Sequence, residues 1–349
     1  MLNFYSRPPN LKAPSRRTSR IIALVVGIFV VVAVILLAVD WHEVKAVTSK
    51  ASWVPTAIAV AFALASDACL SYGYVLVNRA FSIKLKTSEL MEIGFVSSTI
   101  NNIMAFLGAA GHSMRLMLLR RRSVASGEIM GASLFHSYIN NVIMLGLFVI
   151  GLVSLLFRHS VTASSPAAIV SGVVLIVALF AVVTLVVILQ PLRRFVLDLL
   201  RKVWRAVTKR DIGRFLANFD DAMTRGLQAF RTRRLLLAAM LTVMVGEWAL
   251  SAGGLWFCFA ALGTPPHVLL LLAGFSIGIS AGNLSMLPGG IGVQEASMAG
   301  VFALLGIPFG QAALVAIMFR IVNNFIPFFV SLPFYFRLLR TQAEAGSPE

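Results

Sequence analysis

Acidic residues are scarce in this chain: 14 Asp and Glu stand against 30 Lys and Arg in 349 residues, and none occurs in the first twenty positions. Charge of either sign is scarce as well, at 13% of positions against 58% hydrophobic. That balance excludes an ordinary soluble domain, in which about a quarter of residues are charged. There are two cysteines, Cys69 and Cys258, and both sit inside apolar segments. They read as core residues and not as a disulfide. No metal-ligand spacing, phosphate-binding loop or dinucleotide fingerprint occurs, and no nucleophile–base pair can be identified. The expectation is therefore a protein without metal or cofactor and without enzymatic activity. Gly274-Phe-Ser-Ile-Gly278 fits the G-x-S-x-G pattern of hydrolases, but that motif needs a strand–turn–helix and here lies in an apolar helix. Gly274, Gly278 and Gly282 recur every four residues, which is the spacing of close helix packing.

What the chain has instead is long apolar runs, several beyond the roughly 18 residues that mark a membrane helix. Residues 21–39 are the cleanest, preceded by Arg7, Lys12, Arg16, Arg17 and Arg20. A cleaved signal peptide would have a shorter apolar core of about 7–15 residues, so an uncleaved first helix is favoured. The net charge of +16 raises nucleic acid as a partner, but its distribution argues against that. Of the 30 bases, 26 fall into five clusters: the tail 1–20, 79–86, 115–122, 193–234, and Arg337 with Arg340. The connections between apolar runs on the other side are poor in bases, which is the positive-inside pattern and puts both termini in the cytoplasm. On that basis 21–39 goes out and 53–77 returns. Residues 89–119 dip in and return, 129–157 goes out, and 167–189 returns. Then 235–262 goes out, 268–305 enters and leaves from outside, and 312–336 returns. Within 190–234, twelve bases alternate with Phe195, Val196, Leu199, Leu200, Val203 and Trp204. Helical spacing of apolar residues among bases fits a helix lying on anionic headgroups; a solvated cytoplasmic hairpin fits as well.

One interruption stands out. Asn283 to Glu295 reads NLSMLPGGIGVQE, and Pro288, Gly289, Gly290 and Gly292 break a helix inside a hydrophobic region. Broken backbone at membrane depth survives only when buried in protein or lining a wet cavity. The half after the break, 293–305, extends only about 20 Å as a helix, too short to span. Three landmarks recur in order. Asp67 matches Glu247 at an offset of 180, Asn102 matches Asn283 at 181 with Gly108 over Gly289 and Gly111 over Gly292, and Asn140-Asn141 matches Asn323-Asn324 at 183. The fold class expected is all-α and polytopic, an inverted-topology repeat with two re-entrant helical hairpins entering from opposite sides. The expected organisation is a basic tail at 1–20, one transmembrane domain at 21–340 with repeats at 53–157 and 235–336, and a tail at 341–349.

Ionisable groups inside a membrane are costly and face partners, cavities or pathways. Here they are Asp67, His112, Arg115, His136, Glu247, Glu295 and Arg320, joined by amides including Asn102, Asn283 and Asn323. One reading is structural: Asp67 pairs with Arg115, Glu295 or Glu247 pairs with Arg320, and the amides cap freed backbone. In the other, Arg115 and Arg320 face a phosphate headgroup, helix N-termini near Gly111 and Gly292 add donors, and the acids hold a cationic group or exchange protons.

These residues resemble a known family, the lysylphosphatidylglycerol synthase transmembrane (flippase-like) family, typified by the flippase domain of the multiple peptide resistance factor. LPGGIGVQEA at 287–296, then Arg320 and Asn323-Asn324 before Pro327, resemble its Pro-Gly-Gly-x-Gly-x-x-Glu and downstream Arg block. NNIMAFLGAAGHSMRLMLLRRR at 101–122 is similar to its first Asn-Asn…Gly…Arg segment, but Leu107, His112 and Ser113 stand where many members have Pro and Glu. The resemblance implies a bacterial inner-membrane protein that moves a polar lipid between leaflets. An anionic or aminoacylated phospholipid such as lysylphosphatidylglycerol, a hopanoid or a polyprenyl-linked glycan lipid would each fit. Its headgroup would be held by Arg115, Glu247, Glu295, Arg320, Asp67, Asn102, Asn283 and Asn323. Bifunctional relatives carry a soluble aminoacyl-transfer domain after the membrane part; this chain ends at Glu349 and is expected not to make the lipid. The alternative is a non-transporting scaffold for lipid or envelope-glycan biosynthesis, and homo-oligomerisation is open in either case.

Overall fold

The computed structural model describes residues 52–104, 109–158, 166–209, 211–285 and 287–343. The tail 1–20, the first apolar segment 21–39, Gly108 and residues 344–349 lie outside them. Every regular element among the described residues is helical. In order these are α1 (Trp53–Ala80), α2 (Thr87–Met104), α3 (Ala109–Arg120), α4 (Ser126–Arg158), α5 (Pro166–Ile188), α6 (Gln190–Thr208), α7 (Gly213–Thr232), α8 (Arg234–Ala261), α9 (Val268–Leu284), α10 (Val293–Leu304), α11 (Phe309–Arg320) and α12 (Ile326–Ala343). Among the described residues, four helical stretches are long and apolar enough to cross a membrane: α1, Ser126–Val153 of α4, α8, and the run Phe309–Arg340 through α11 and α12. A fifth arises if Phe180–Ile188 and Gln190–Thr208, bent by 99°, count as one span. Helices suit this role because each satisfies its own backbone hydrogen bonds where water is absent. The chain is an all-helical, multi-pass membrane protein.

The longest packed pair is α1 with α8, whose contact is built on small residues such as Ala59, Ala63 and Ala252. Ser66 on α1 donates its hydroxyl to the Glu247 carbonyl of α8 at 3.0 Å. Around this pair, α9 lies against α4, and α12 lies against α2. The aromatic core sits where α8, α9, α10 and α11 converge, with Phe259 edge-on to Phe302 at 4.7 Å. At another level, α7 packs on α4 and α1, stacking Phe230 on Phe135 at 5.2 Å.

Helices α9 and α10 run antiparallel, with the four-residue glycine repeat of α9 under α10. A Cβ at Gly278 would lie 2.7 Å from the Met298 Cβ, and one at Gly282 would lie 2.9 Å from the Gln294 Cβ. Gly278→Ala is therefore expected to lower the thermal midpoint of the purified protein, at a cost of about 1–3 kcal/mol for overpacking. Gly300→Ala on α10, where a Cβ meets nothing within 4 Å, is the control. It should leave the midpoint unchanged or raise it, because alanine is the better helix former.

Candidate functional site

The Pro-Gly-Gly break leaves α9 at Leu284 and restarts as α10 at Val293. Gly289 has φ 61°, Gly290 61° and Gly292 84°, a left-handed run that only glycine adopts without strain. Glu295 then closes the start of α10: its Oε2 accepts from the Gly292 N–H at 2.7 Å, supplying one of the donors a helix start leaves free with a charged acceptor. Its other oxygen is ion-paired to Arg320 Nε. Arg320 also donates through Nη1 to the Gly289 carbonyl at 2.9 Å, and through Nη2 to the Gly290 carbonyl at 3.4 Å and to Gln294 Oε1 at 3.3 Å. The guanidinium fork thus gathers the carbonyls that the break sets free. Both members of the pair are buried.

The first break is built differently. Helix α2 ends at Met104 and α3 begins at Ala109, and the Gly111 N–H donates to Asn101 Oδ1 at 3.3 Å. Arg115, only 6% exposed, donates from Nε to Ser97 Oγ at 2.9 Å. Its guanidinium lies over the Tyr74 ring at 4.2 Å from the centroid. No carboxylate pairs with it among the described residues, and its Nη1 has no partner. The Tyr74 hydroxyl and His112 Nδ1 are buried and unpartnered too. His136 sits behind them, its Nε2 3.2 Å from the Leu70 carbonyl and its ring edge-on to Tyr74 at 5.5 Å.

The two breaks touch. A Cβ at Gly289 would lie 2.9 Å from the Ile103 carbonyl oxygen and 3.1 Å from that of Asn102, so the glycine turn presses on the last turn of α2. Gly289→Ala is expected to destabilise the protein by more than Gly263→Ala. Both have positive φ, but a Cβ at Gly263 meets nothing within 4 Å. The backbone cost, about 1–2 kcal/mol, is common to both. Any excess at Gly289, read by thermal unfolding of the two variants, is the contact between the breaks.

The acids divide. Glu295 pairs with Arg320, whereas Asp67 does not reach Arg115. Asp67 on α1 and Glu247 on α8 are both buried, beside the Ser66 hydroxyl that reaches the Glu247 carbonyl, and Glu247 Oε2 has no hydrogen-bond partner among the described residues. Both Asn pairs reach α8: Asn140 Oδ1 accepts from Trp248 Nε1 at 2.9 Å, and Asn323 Oδ1 from Ser251 Oγ at 3.3 Å. Asn323 and Asn324 stand in a widened turn, Ile321–Phe325, between α11 and α12, a form frequent at functional sites. Asn102 contributes its carbonyl at Gly289. Asn283 is exposed, its amide 3.3 Å from the Met144 sulfur, and does not join the others. Tyr74, Ser97 and Gln294 went unmarked in the sequence. Ser97 lies 18 residues from Arg115, five helical turns away along the chain, and only the fold-back of α2 on α3 makes them neighbours.

Residues 21–331 match the family model described as the lysylphosphatidylglycerol synthase TM region. The chain belongs to that family. The match spans both breaks and every site residue named above. A UPF0104 membrane protein of Methanothermobacter thermautotrophicus is 21% identical over 314 residues, covering 86% of this chain and 90% of that protein. A second UPF0104 membrane protein from the same organism is 30% identical over 121 residues, covering 35% of this chain and 32% of the relative. A third is 31% identical over 87 residues, covering 25% and 26%. In this member of the lysylphosphatidylglycerol synthase TM region family, one arginine is fully engaged at its break and the other retains an open donor.

Proposed function

We propose that this chain moves a phosphate-bearing polar lipid between the two leaflets, with the headgroup passing along the touching breaks and the tails left in lipid. The observation that carries the reading is Arg115: a buried guanidinium beside a helix break, with no carboxylate paired to it and no partner for Nη1 among the described residues. A buried cation is costly unless an anion neutralises it, and a planar fork suits a phosphate diester. Glu295, Arg320 and Asn323 frame the second break, and Asn102 joins the two. Asp67 and Glu247 would take a cationic portion of the headgroup, as in an aminoacylated phospholipid. The exchange of partners, α2 with α12 and α9 with α4, supports two inverted repeats whose hairpins re-enter from opposite sides. The basic clusters support cytoplasmic termini.

Reconstitution into vesicles with leaflet-restricted lipid labelling tests this. Phosphatidylglycerol should cross faster with the protein present, and a phosphate-free glycolipid should not. Equal movement of both would remove the role given to Arg115. No movement of either in folded protein would favour the scaffold reading, which draws support from the closed charge pairing at the second break.

A further inference from the structure

A different surface points to a second lipid contact, independent of whether the breaks transport anything. Helix α6 leaves the Phe180–Ile188 stretch of α5 at 99°, with Pro191 in its first turn, where a missing N–H costs nothing. At 3.6 residues per turn, Arg194, Arg201, Lys202, Arg205 and Lys209 share one arc, and Phe195, Val196, Leu199, Leu200, Val203 and Val207 share the other. That apolar arc is uncovered: Phe195 is 67% exposed and Val207 78%.

The helix is nonetheless held firmly. Arg193, 3% exposed, donates to Asp220 Oδ1 at 2.6 Å, to Thr224 Oγ1 at 2.6 Å and to the Val187 carbonyl at 2.8 Å. Arg194 donates to Asp220 Oδ2 at 2.9 Å, and α7, which carries Asp220, is itself packed on α4 and α1. The fold therefore fixes the apolar arc pointing away from the protein. The local acids are mostly taken: Asp220 serves two arginines, and Asp211 is bound to Arg201. The Arg201 hydrogen bonds, with the Gly213 N–H, pull the Asp211 carboxyl down to about 2, so it stays an occupied anion at neutral pH. Lys202, Arg205 and Lys209 form no ion pair among the described residues.

We propose that α6 is an in-plane helix bound to the anionic phospholipid surface of the leaflet in which α5 ends. Its apolar arc sinks to the boundary between headgroups and acyl chains, and its unpaired bases meet lipid phosphates. Continuity with the apolar α5 puts the arc at the membrane surface, and charge complementarity selects anionic lipid as its occupant.

The test uses the full chain in nanodiscs of phosphatidylcholine with and without phosphatidylglycerol. Nitroxide labels go on Val203→Cys and Arg201→Cys, with unlabelled-site background taken from the parent protein. The Val203 label should be relaxed by oxygen and shielded from a water-soluble nickel chelate, and the Arg201 label the reverse. Lys202→Gln, Arg205→Gln and Lys209→Gln together should reduce the phosphatidylglycerol retained from mixed bilayers by up to about a hundredfold. A single Lys202→Gln variant, less demanding on folding, should reduce it in part. Equal nickel access at both labels would show a solvated hairpin and overturn the proposal. Dipolar broadening between Val203 labels on two copies would assign the face to self-association and overturn it as well.

Discussion

Replacing Arg115 with methionine is expected to slow lipid movement sharply and at the same time to raise the stability of the fold. The two effects have one cause. Among the described residues, Arg115 is buried with a donor unpartnered and no carboxylate paired to it, so the free protein bears the cost of a desolvated charge. Methionine has comparable length and keeps a favourable contact with the Tyr74 ring. The hydroxyl of Ser97 keeps its own acceptor, the Gly94 carbonyl at 2.9 Å, so no new polar group is orphaned. The gain should be about 1–3 kcal/mol, read as a higher thermal midpoint. Transport should fall by about thirtyfold or more, since deleting one side of a buried charged contact costs about 2–5 kcal/mol. Arg115→Lys keeps the charge but not the fork and should retain partial activity. A structural arginine would give the opposite signature, with stability falling and transport following it. A variant that is destabilised yet still moves lipid would exclude Arg115 from the headgroup path.

The part of this organisation that sequence carries is the part written in local chemistry. Pro288 and its glycines break a helix wherever they occur, so the break at α9–α10 was visible, as was the close packing at Gly274, Gly278 and Gly282. The Glu295–Arg320 pair was one of two pairings open for Arg320, and the fold selects it because the freed carbonyls of Gly289 and Gly290 converge on the same guanidinium. The other arginine defied pairing rules. Asp67 was a plausible partner for Arg115 by polarity, but it lies buried on α1 next to Ser66, which reaches the Glu247 carbonyl of α8, and forms no ion pair with Arg115. What Arg115 has instead is an aromatic face, Tyr74, on a helix 41 positions earlier, and a buried tyrosine looks like any core residue until its hydroxyl is seen to lack a partner. The turn of α5 into α6 was legible as a change from apolar to mixed composition. Its angle was not, since it depends on Arg193 reaching Asp220 across the next loop.

At the second break the expected result is reversed: Arg320→Met should be among the costliest substitutions in the protein, at about 3–5 kcal/mol. Four acceptors depend on that guanidinium, namely Glu295, the carbonyls of Gly289 and Gly290, and Gln294. Removing it leaves a buried carboxylate and two backbone oxygens unpaired in an apolar setting. Glu295→Gln should cost less, because the amide oxygen still accepts from one of the two donors, the Gly292 N–H or Arg320 Nε, while its NH2 is left facing the other. In the double variant the stranded carboxylate is gone, so the summed losses should exceed the measured one, with a coupling of about 0.5–3 kcal/mol. Unfolding of the three variants under one set of conditions supplies the cycle. The same proteins separate two roles for the pair. As a lock, it acts through the glycine turn that presses on Asn102 and Ile103, and transport should fall only as stability falls. As a headgroup contact, Glu295→Gln should lose more transport than its loss of stability accounts for. The number and geometry of the Arg320 hydrogen bonds favour the lock, which leaves Arg115, with its open donor, as the arginine available to a lipid phosphate.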